Sequence, residues 1–242
     1  VRLLAPPKKG LFSKVNMQLL GLSALEYNEQ YYAEHKDANL DYLGHGYWQE
    51  EYAKMVTQAC MTPAEGLVVD AGCACGSILK GFQKLDYRVK GADLNEHMIT
   101  LGRQQFGFTA DELNAESIVD MSVYTESVDL IHTAQVLEHI PEQQMDFILT
   151  EFARILKPEG KVFICLDAVK DGETKEMYMG DPTHVNIQPI NYWYKLFAKH
   201  GFVFDVESYN RFVRSKYKPT ADQDDNFFNA YPYWSVWILQ KT

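Results

Sequence analysis

At 242 residues the chain is long enough for one substantial domain with an extension, and too short for two full ones. Hydrophobic residues make up 46% and charged residues 23%, which excludes a wholly disordered chain, a collagen-like chain and a disulfide-stapled miniprotein. Its 23 basic residues are scattered among 33 acidic ones, for a net charge of −10. That is the wrong field for a general polyanion binder, so nucleic acid is not expected as a partner.

The first zone, residues 1–63, reads as a helical cap. Leu11, Phe12, Val15, Leu19, Leu22 and Leu25 recur at helical spacing, and further helices are expected near 28–35 and over 49–60, the last stopping before Pro63. From Gly66 onward strand and helix alternate. Strands are expected at 66–71, 87–94, 108–112, 128–133 and 161–166. Helices are expected at 77–85, 96–106 and 142–156, with Lys157-Pro158-Glu159-Gly160 as a turn. This alternation predicts a parallel sheet with helices on both faces, the domain occupying 64–242. After a long connection at 168–189, a helix at 191–200 stops at Gly201, and 202–209 and 233–239 read as closing strands around a polar excursion at 210–229. No apolar run approaches the roughly 20 residues that a membrane helix needs. Cys60, Cys73, Cys75 and Cys165 form no disulfide-like framework, and no signal-peptide pattern is present. A reducing, cytoplasmic compartment is the expectation.

In an open parallel sheet, ligands bind beyond the carboxyl ends of the strands. The first strand ends in Asp70-Ala71-Gly72-Cys73-Ala74-Cys75-Gly76, where two glycines permit a sharp turn and close backbone approach. The second strand ends at Asp93, where a carboxylate could accept from both hydroxyls of a ribose. An acid before the glycine turn would repel a pyrophosphate but suits a cationic amino group, and no Gly-Lys-Ser/Thr follows, which excludes a phosphate-loop nucleotidase. The pattern asks for a cofactor with an adenosine and an amino-acid-like cation, as in S-adenosylmethionine.

On these residues the sequence resembles the class I S-adenosylmethionine-dependent methyltransferases, across about 66–201. The matching pieces are residues 68–76, Gly91-Ala92-Asp93-Leu94-Asn95, Leu113-Asn114-Ala115-Glu116, residues 128–140 with Leu137-Glu138-His139-Ile140, and residues 156–161. Ala74 departs from the glycine usual in the family. The resemblance implies a Rossmann-like, seven-stranded, mostly parallel sheet of order 3-2-1-4-5-7-6 with the last strand antiparallel. It also implies roles by position. Asp70, Gly72, Cys73 and Gly76 would surround the methionine part of the cofactor, and Asp93 would hold the ribose. Leu94, Asn114 and Ala115 would meet the adenine, and Gln135 would line the sulfonium. The segment Leu43-Gly44-His45-Gly46-Tyr47-Trp48 is similar to one that precedes the core in small-molecule methyltransferases, which makes Tyr47 a candidate over the cofactor's amino-acid end; a plain helix anchor is the alternative.

Methyl transfer is an in-line displacement at a sulfonium carbon, and a base is needed only where the acceptor must lose a proton. The long connection carries Asp181, Thr183 and His184, and similar Asp-x-Thr-His segments occur in relatives that methylate small molecules. His184 is the candidate base and Asp181 its orienting partner, unless Asp181 and Thr183 only satisfy loop backbone. His139 is a further candidate, and aromatics including Tyr192 and Trp193 are candidates for lining an acceptor site. No metal is expected, because Cys73 and Cys75 have no second ligand pair at zinc spacing. The expected activity is methylation of an oxygen or nitrogen of a small-molecule acceptor. The alternatives are a protein or peptide methyltransferase and a non-catalytic cofactor-binding module.

Overall fold

The computed structural model describes residues 47–174, 183–215 and 236–242. Most of the expected cap, the Leu11 to Leu25 stripe, Asp181 and much of the polar excursion lie outside the described residues. The described part opens with helix α1 (Tyr47–Ala59), followed by strand β1 (Leu67–Ala71), α2 (Ser77–Lys84), β2 (Arg88–Asp93), α3 (Glu96–Phe106) and β3 (Leu113–Ala115). The chain continues through β4 (Val128–Ala134), α4 (Met145–Ile155), β5 (Leu156–Cys165), α5 (Ile190–Lys199), β6 (Phe202–Phe204), α6 (Val206–Ser215) and β7 (Val236–Lys241). The strands form one sheet in the order β3-β2-β1-β4-β5-β7-β6, as the family resemblance implied. β7 runs antiparallel to both of its neighbours, and the other pairs are parallel.

Period-two alternation splits the strand residues between two cores. Val69, Ala71, Ile131, Val162 and Ile164 face α4 and α5, packing against Ile148, Phe152, Trp193 and Phe197. Val68, Leu130, Phe163 and Cys165 face the other way, against Tyr52 and Val56 of α1, Leu79 and Phe82 of α2, Ile99 of α3 and Phe212 of α6. The helix at α3 is framed by its own sequence: the Asn95 side chain accepts from the Met98 N–H, and Gly107 closes the other end in a left-handed conformation.

Four expectations are corrected. The third strand is not 108–112 but Leu113–Ala115, because Glu112 Oε2 accepts from Thr109 N–H and Phe108 is buried, which makes that stretch a turn. The Lys157 to Gly160 stretch does not precede its strand but bulges within it: β5 pairs Leu156 with Val128, then Lys161 with Leu130. Lys157 Nζ reaches Asp129 Oδ1 at 2.6 Å across the bulge. The α4 helix also starts later than expected, Glu142–Gln144 forming a separate 3-10 turn. Finally, the strand after Gly201 ends at Phe204 rather than running to 209. Asp205 caps a helix there, accepting from Ser208 N–H at 3.0 Å, and Phe212 of that helix packs edge-on against Phe163.

Candidate active site

The carboxyl ends of β1, β2 and β4 gather the residues singled out in the sequence. Gly72 has φ +80, and a Cβ added to it would stand 2.4 Å from Val136 Cγ2. The turn after β1 and the turn after β4 are therefore pressed together, and only glycine fits between them. Gly76 follows at φ +79 and opens α2. Between them Ala74 also adopts a left-handed backbone, φ 48, a conformation that costs an alanine on the order of 1 kcal/mol.

Asp93 offsets that strain. Its Oδ2 accepts from Ala74 N–H at 2.8 Å and its Oδ1 from Asn95 N–H at 2.9 Å, so one carboxylate braces both the β1 and β2 turns. Burial raises the Asp93 carboxyl above its ordinary range, with the Asp70 charge adding to the shift and the backbone N–H groups opposing it. Each carboxylate oxygen retains a second lone pair for a ribose hydroxyl. Leu94 and Ala115 are partly buried beside it, and the Asn114 Oδ1 accepts from Arg103 at 3.3 Å. Cys73 and Cys75 are buried free thiols, and burial pushes Cys73 well above the usual thiol range. Gln135, at φ 56, ends β4 with its N–H donating to the Cys165 carbonyl at 2.7 Å. Tyr47 begins α1.

Asp70, which closes β1 before the glycine turn, has a partner that the sequence did not suggest. Its Oδ1 lies 2.7 Å from His132 Nδ1, and His132 Nε2 lies 2.7 Å from the Tyr52 hydroxyl. All three are buried, with His132 stacked on Phe163. Sequence reasoning missed His132 because it interrupts an apolar strand and its partners are remote in the chain. The cross-strand register that pairs Asp70 with His132 was the signal that could have found it.

The candidate catalytic residues lie beyond β4 and β5. Val169 bridges Pro189, drawing together the two ends of the long connection, and Asn186 N–H donates to the Glu138 carbonyl at 2.9 Å beyond β4. His184 is buried and meets His139 edge-on at 4.4 Å between ring centroids. His184 Nδ1 stands 3.4 Å from Asp167 Oδ2, and His139 Nδ1 stands 3.1 Å from Thr183 Oγ1. Asp167, two residues beyond β5, thus faces His184; Asp181, the partner that the sequence reading gave it, lies outside the described residues. Trp193 belongs to the core, stacked on Phe197, rather than to an acceptor site.

Glu138 completes this cluster. It is fully buried, Oε1 accepts from Asp167 N–H at 3.3 Å, and Oε2 has no hydrogen-bond partner. Ligand atoms of Glu138, His139 and His184 all fall within 4.8 Å of one another, a set able to hold a divalent cation. Burial, with the Asp167 charge behind it, pushes the Glu138 carboxyl from the ordinary 4.5 up to about 8. The folded protein therefore keeps a proton that the unfolded chain has already lost between those values. The associated stability is full below about pH 4.5 and disappears as pH rises through about 8. Glu138→Gln, which never ionises, should be as stable as the parent at pH 5 and more stable by about 3 to 5 kcal/mol at pH 9. Denaturant unfolding at the two pH values measures this; equal gaps between the proteins at both would contradict it.

The sheet order, the braced glycine turn and the acid closing β2 now stand together with comparisons to known proteins. Residues 68–160 match the family described as a methyltransferase domain. Over 110 residues the chain is 29% identical to the ubiquinone biosynthesis O-methyltransferase of Bartonella bacilliformis, covering 43% of this chain and 42% of that protein. Residues 68–160 therefore carry a methyltransferase domain, and with the sheet order they support a class I S-adenosylmethionine-dependent methyltransferase. A second ubiquinone biosynthesis O-methyltransferase, from Xanthomonas oryzae, is 29% identical over 101 residues, covering 40% of this chain and 41% of that protein. The matched stretch thus spans about two-fifths of the length of these curated relatives. The fold of this methyltransferase is shared with the geranyl diphosphate C-methyltransferase of Streptomyces coelicolor, solved with Mg2+, geranyl diphosphate and S-adenosyl-L-homocysteine. The TM-score is 0.56 at 14% identity, covering 78% of this chain and 77% of that one. Among the described residues of the methyltransferase, no helix is long and apolar enough to cross a membrane.

Proposed function

We propose that this methyltransferase transfers the methyl group of S-adenosylmethionine to an oxygen of a small-molecule acceptor, with a nitrogen acceptor as the less favoured case. The observation that carries the reading is the contact between the turn after β1 and the turn after β4, Gly72 against Val136. It supports a reading in which the methionine end of a cofactor held by the first two strands lies near Glu138, His139 and His184. In this reading Gly72, Cys73 and Gly76 receive the amino-acid end of the cofactor, Asp93 holds the ribose, Leu94, Asn114 and Ala115 meet the adenine, and Gln135 lies by the sulfonium. Tyr47, the first residue of α1, is the candidate for the cofactor's amino-acid end. The acceptor's oxygen attacks the methyl carbon in line as the carbon–sulfur bond breaks, leaving S-adenosylhomocysteine. His184, oriented by Asp167, takes the hydroxyl proton. The relatives' description as ubiquinone biosynthesis O-methyltransferases favours oxygen as the acceptor atom.

The test has two stages. S-adenosylhomocysteine should bind by calorimetry, and S-adenosylmethionine should then be consumed with a panel of phenols and catechols but not with basic peptides. Methylation of the peptides would move the reading to a protein methyltransferase. Binding without turnover on any acceptor would move it to a cofactor-binding module.

One observation favours a second reading of the same cluster. The orphaned Oε2 of Glu138 beside two histidines suits a divalent cation that would orient an acceptor's oxygen and lower its pKa, in place of a histidine base. Calorimetric titration of the chelator-treated protein with Mg2+ or Zn2+ tests it. Saturable binding lost in Glu138→Gln would support a cation site, and no heat of binding would remove it.

A further inference from the structure

We infer that Tyr52 and His132 are positioning residues for cofactor recognition, holding the Asp70 carboxylate so that it selects the cationic amino-acid end of the ligand. The inference rests on the proposed cofactor reading, and it deepens that reading by assigning a role to two residues remote from the glycine turn.

The chain of contacts fixes its own proton order. A carboxylate can only accept, so His132 Nδ1 at 2.7 Å from Asp70 Oδ1 carries the hydrogen. In that tautomer Nε2 accepts, and the Tyr52 hydroxyl at 2.7 Å donates to it. Every link is enclosed: Tyr52 and His132 are each 1% exposed and Asp70 is 4% exposed. Phe82 and Phe163 hold the imidazole plane from two sides. A purely structural core position of this size would be filled more cheaply by an apolar ring, since each buried polar group needs a partner. Here the polar groups converge on one carboxylate, placed two residues before Gly72.

Its charge is felt at the site. Behind burial, the Asp70 charge contributes to raising both the Asp93 carboxyl and the Cys73 thiol, so its negative field reaches the carboxyl edge of the sheet. A ligand with an amino cation relieves that field, and a neutral nucleoside does not. The Tyr52–His132 pair keeps the carboxylate from rotating away. It also wires α1, which begins at Tyr47, to the floor of the cofactor site.

The prediction is a split between two ligands. S-adenosylhomocysteine carries the amino-acid end; 5′-methylthioadenosine keeps the nucleoside and thioether but lacks it. Tyr52→Phe, which removes one hydroxyl, and His132→Gln should each weaken S-adenosylhomocysteine about 5- to 50-fold by calorimetry. Affinity for 5′-methylthioadenosine should stay within about twofold. Tyr52→Phe preserves the ring that packs on Phe163, so it reports even where His132→Gln is poorly folded. Unchanged S-adenosylhomocysteine affinity in Tyr52→Phe would overturn the inference while leaving the cofactor reading intact. Equal weakening of both ligands would reduce the triad to core structure. A parent protein that binds neither ligand would instead bring down the cofactor reading and the inference with it.

Discussion

Replacing His184 with glutamine is expected to lower turnover by about 10² to 10⁴-fold while affinity for S-adenosylhomocysteine stays nearly constant. The expectation follows from the geometry around the ring. Asp167, two residues beyond β5, faces Nδ1 at 3.4 Å and favours the tautomer with its hydrogen there, in which Nε2 is the basic atom. Burial shields the ring from bulk water, and the edge-on His139 ring limits its rotation. Glutamine keeps the length and the polarity but cannot accept a proton at neutral pH. His184 is not among the proposed cofactor residues, which lie at the ends of β1, β2, β3 and β4 and on α1, so binding should not change. Asp167→Asn should cost less, about 10-fold, because it disturbs the orientation of the base rather than removing it. Single-turnover kinetics with an active phenol would measure both. Full turnover in His184→Gln would eliminate the base and leave the cation reading or an already ionised acceptor.

Asp93→Ala carries the second large effect. The substitution removes the candidate ribose acceptor and, at the same time, the acceptor for the N–H groups of Ala74 and Asn95. Ala74 then sits in a left-handed conformation with nothing holding it. A hydrogen bond to a charged group contributes about 1.5 to 3 kcal/mol, so losing the ribose contact and the loop brace together should weaken S-adenosylhomocysteine by about 10² to 10³-fold. Asp93→Asn, with one acceptor oxygen, should fall between. Since burial raises the Asp93 carboxyl, the parent's affinity should begin to fall on acidification above the pH at which an ordinary aspartate titrates. Calorimetry across pH 4 to 8 reads both effects. An Asp93→Ala protein that binds normally would remove this residue from the site.

The sheet was legible because its strands carry their own markers. Val68 to Asp70 and Leu130 to Ile131 are apolar runs closed by turns, and Asn95 and Gly107 punctuate the helix between β2 and β3. The cofactor turn was legible for the same reason: its glycines are required by local backbone geometry, which sequence records directly. Pairings between remote residues were not. His132 looks like a lone interruption of a strand until the register sets it beside Asp70, and Tyr52 reaches it only through the packing of α1. Asp167 reads as the end of a strand, and its place beside His184 follows from the return of the long connection, which sequence does not record. The helix at α6 was misread because its apolar face is narrow. Phe212 and Ser208 are its buried residues, and the cap that starts it, Asp205, also forms an ion pair with Lys161 on another strand.

The seat of β7 has a consequence for how the chain is made. β6 is translated before β7, yet among the described residues its one neighbour in the sheet is β7, which must first settle against β5. During synthesis, β1 to β5 can assemble as soon as they emerge, while Phe202, Phe204 and the whole edge beyond β5 have no partner to join. The nascent protein must therefore carry an open strand edge and an uncovered apolar face until residues 236–241 arrive. A pause in translation ahead of that segment would lengthen the exposure, and with it the opportunity for two unfinished chains to pair through β5.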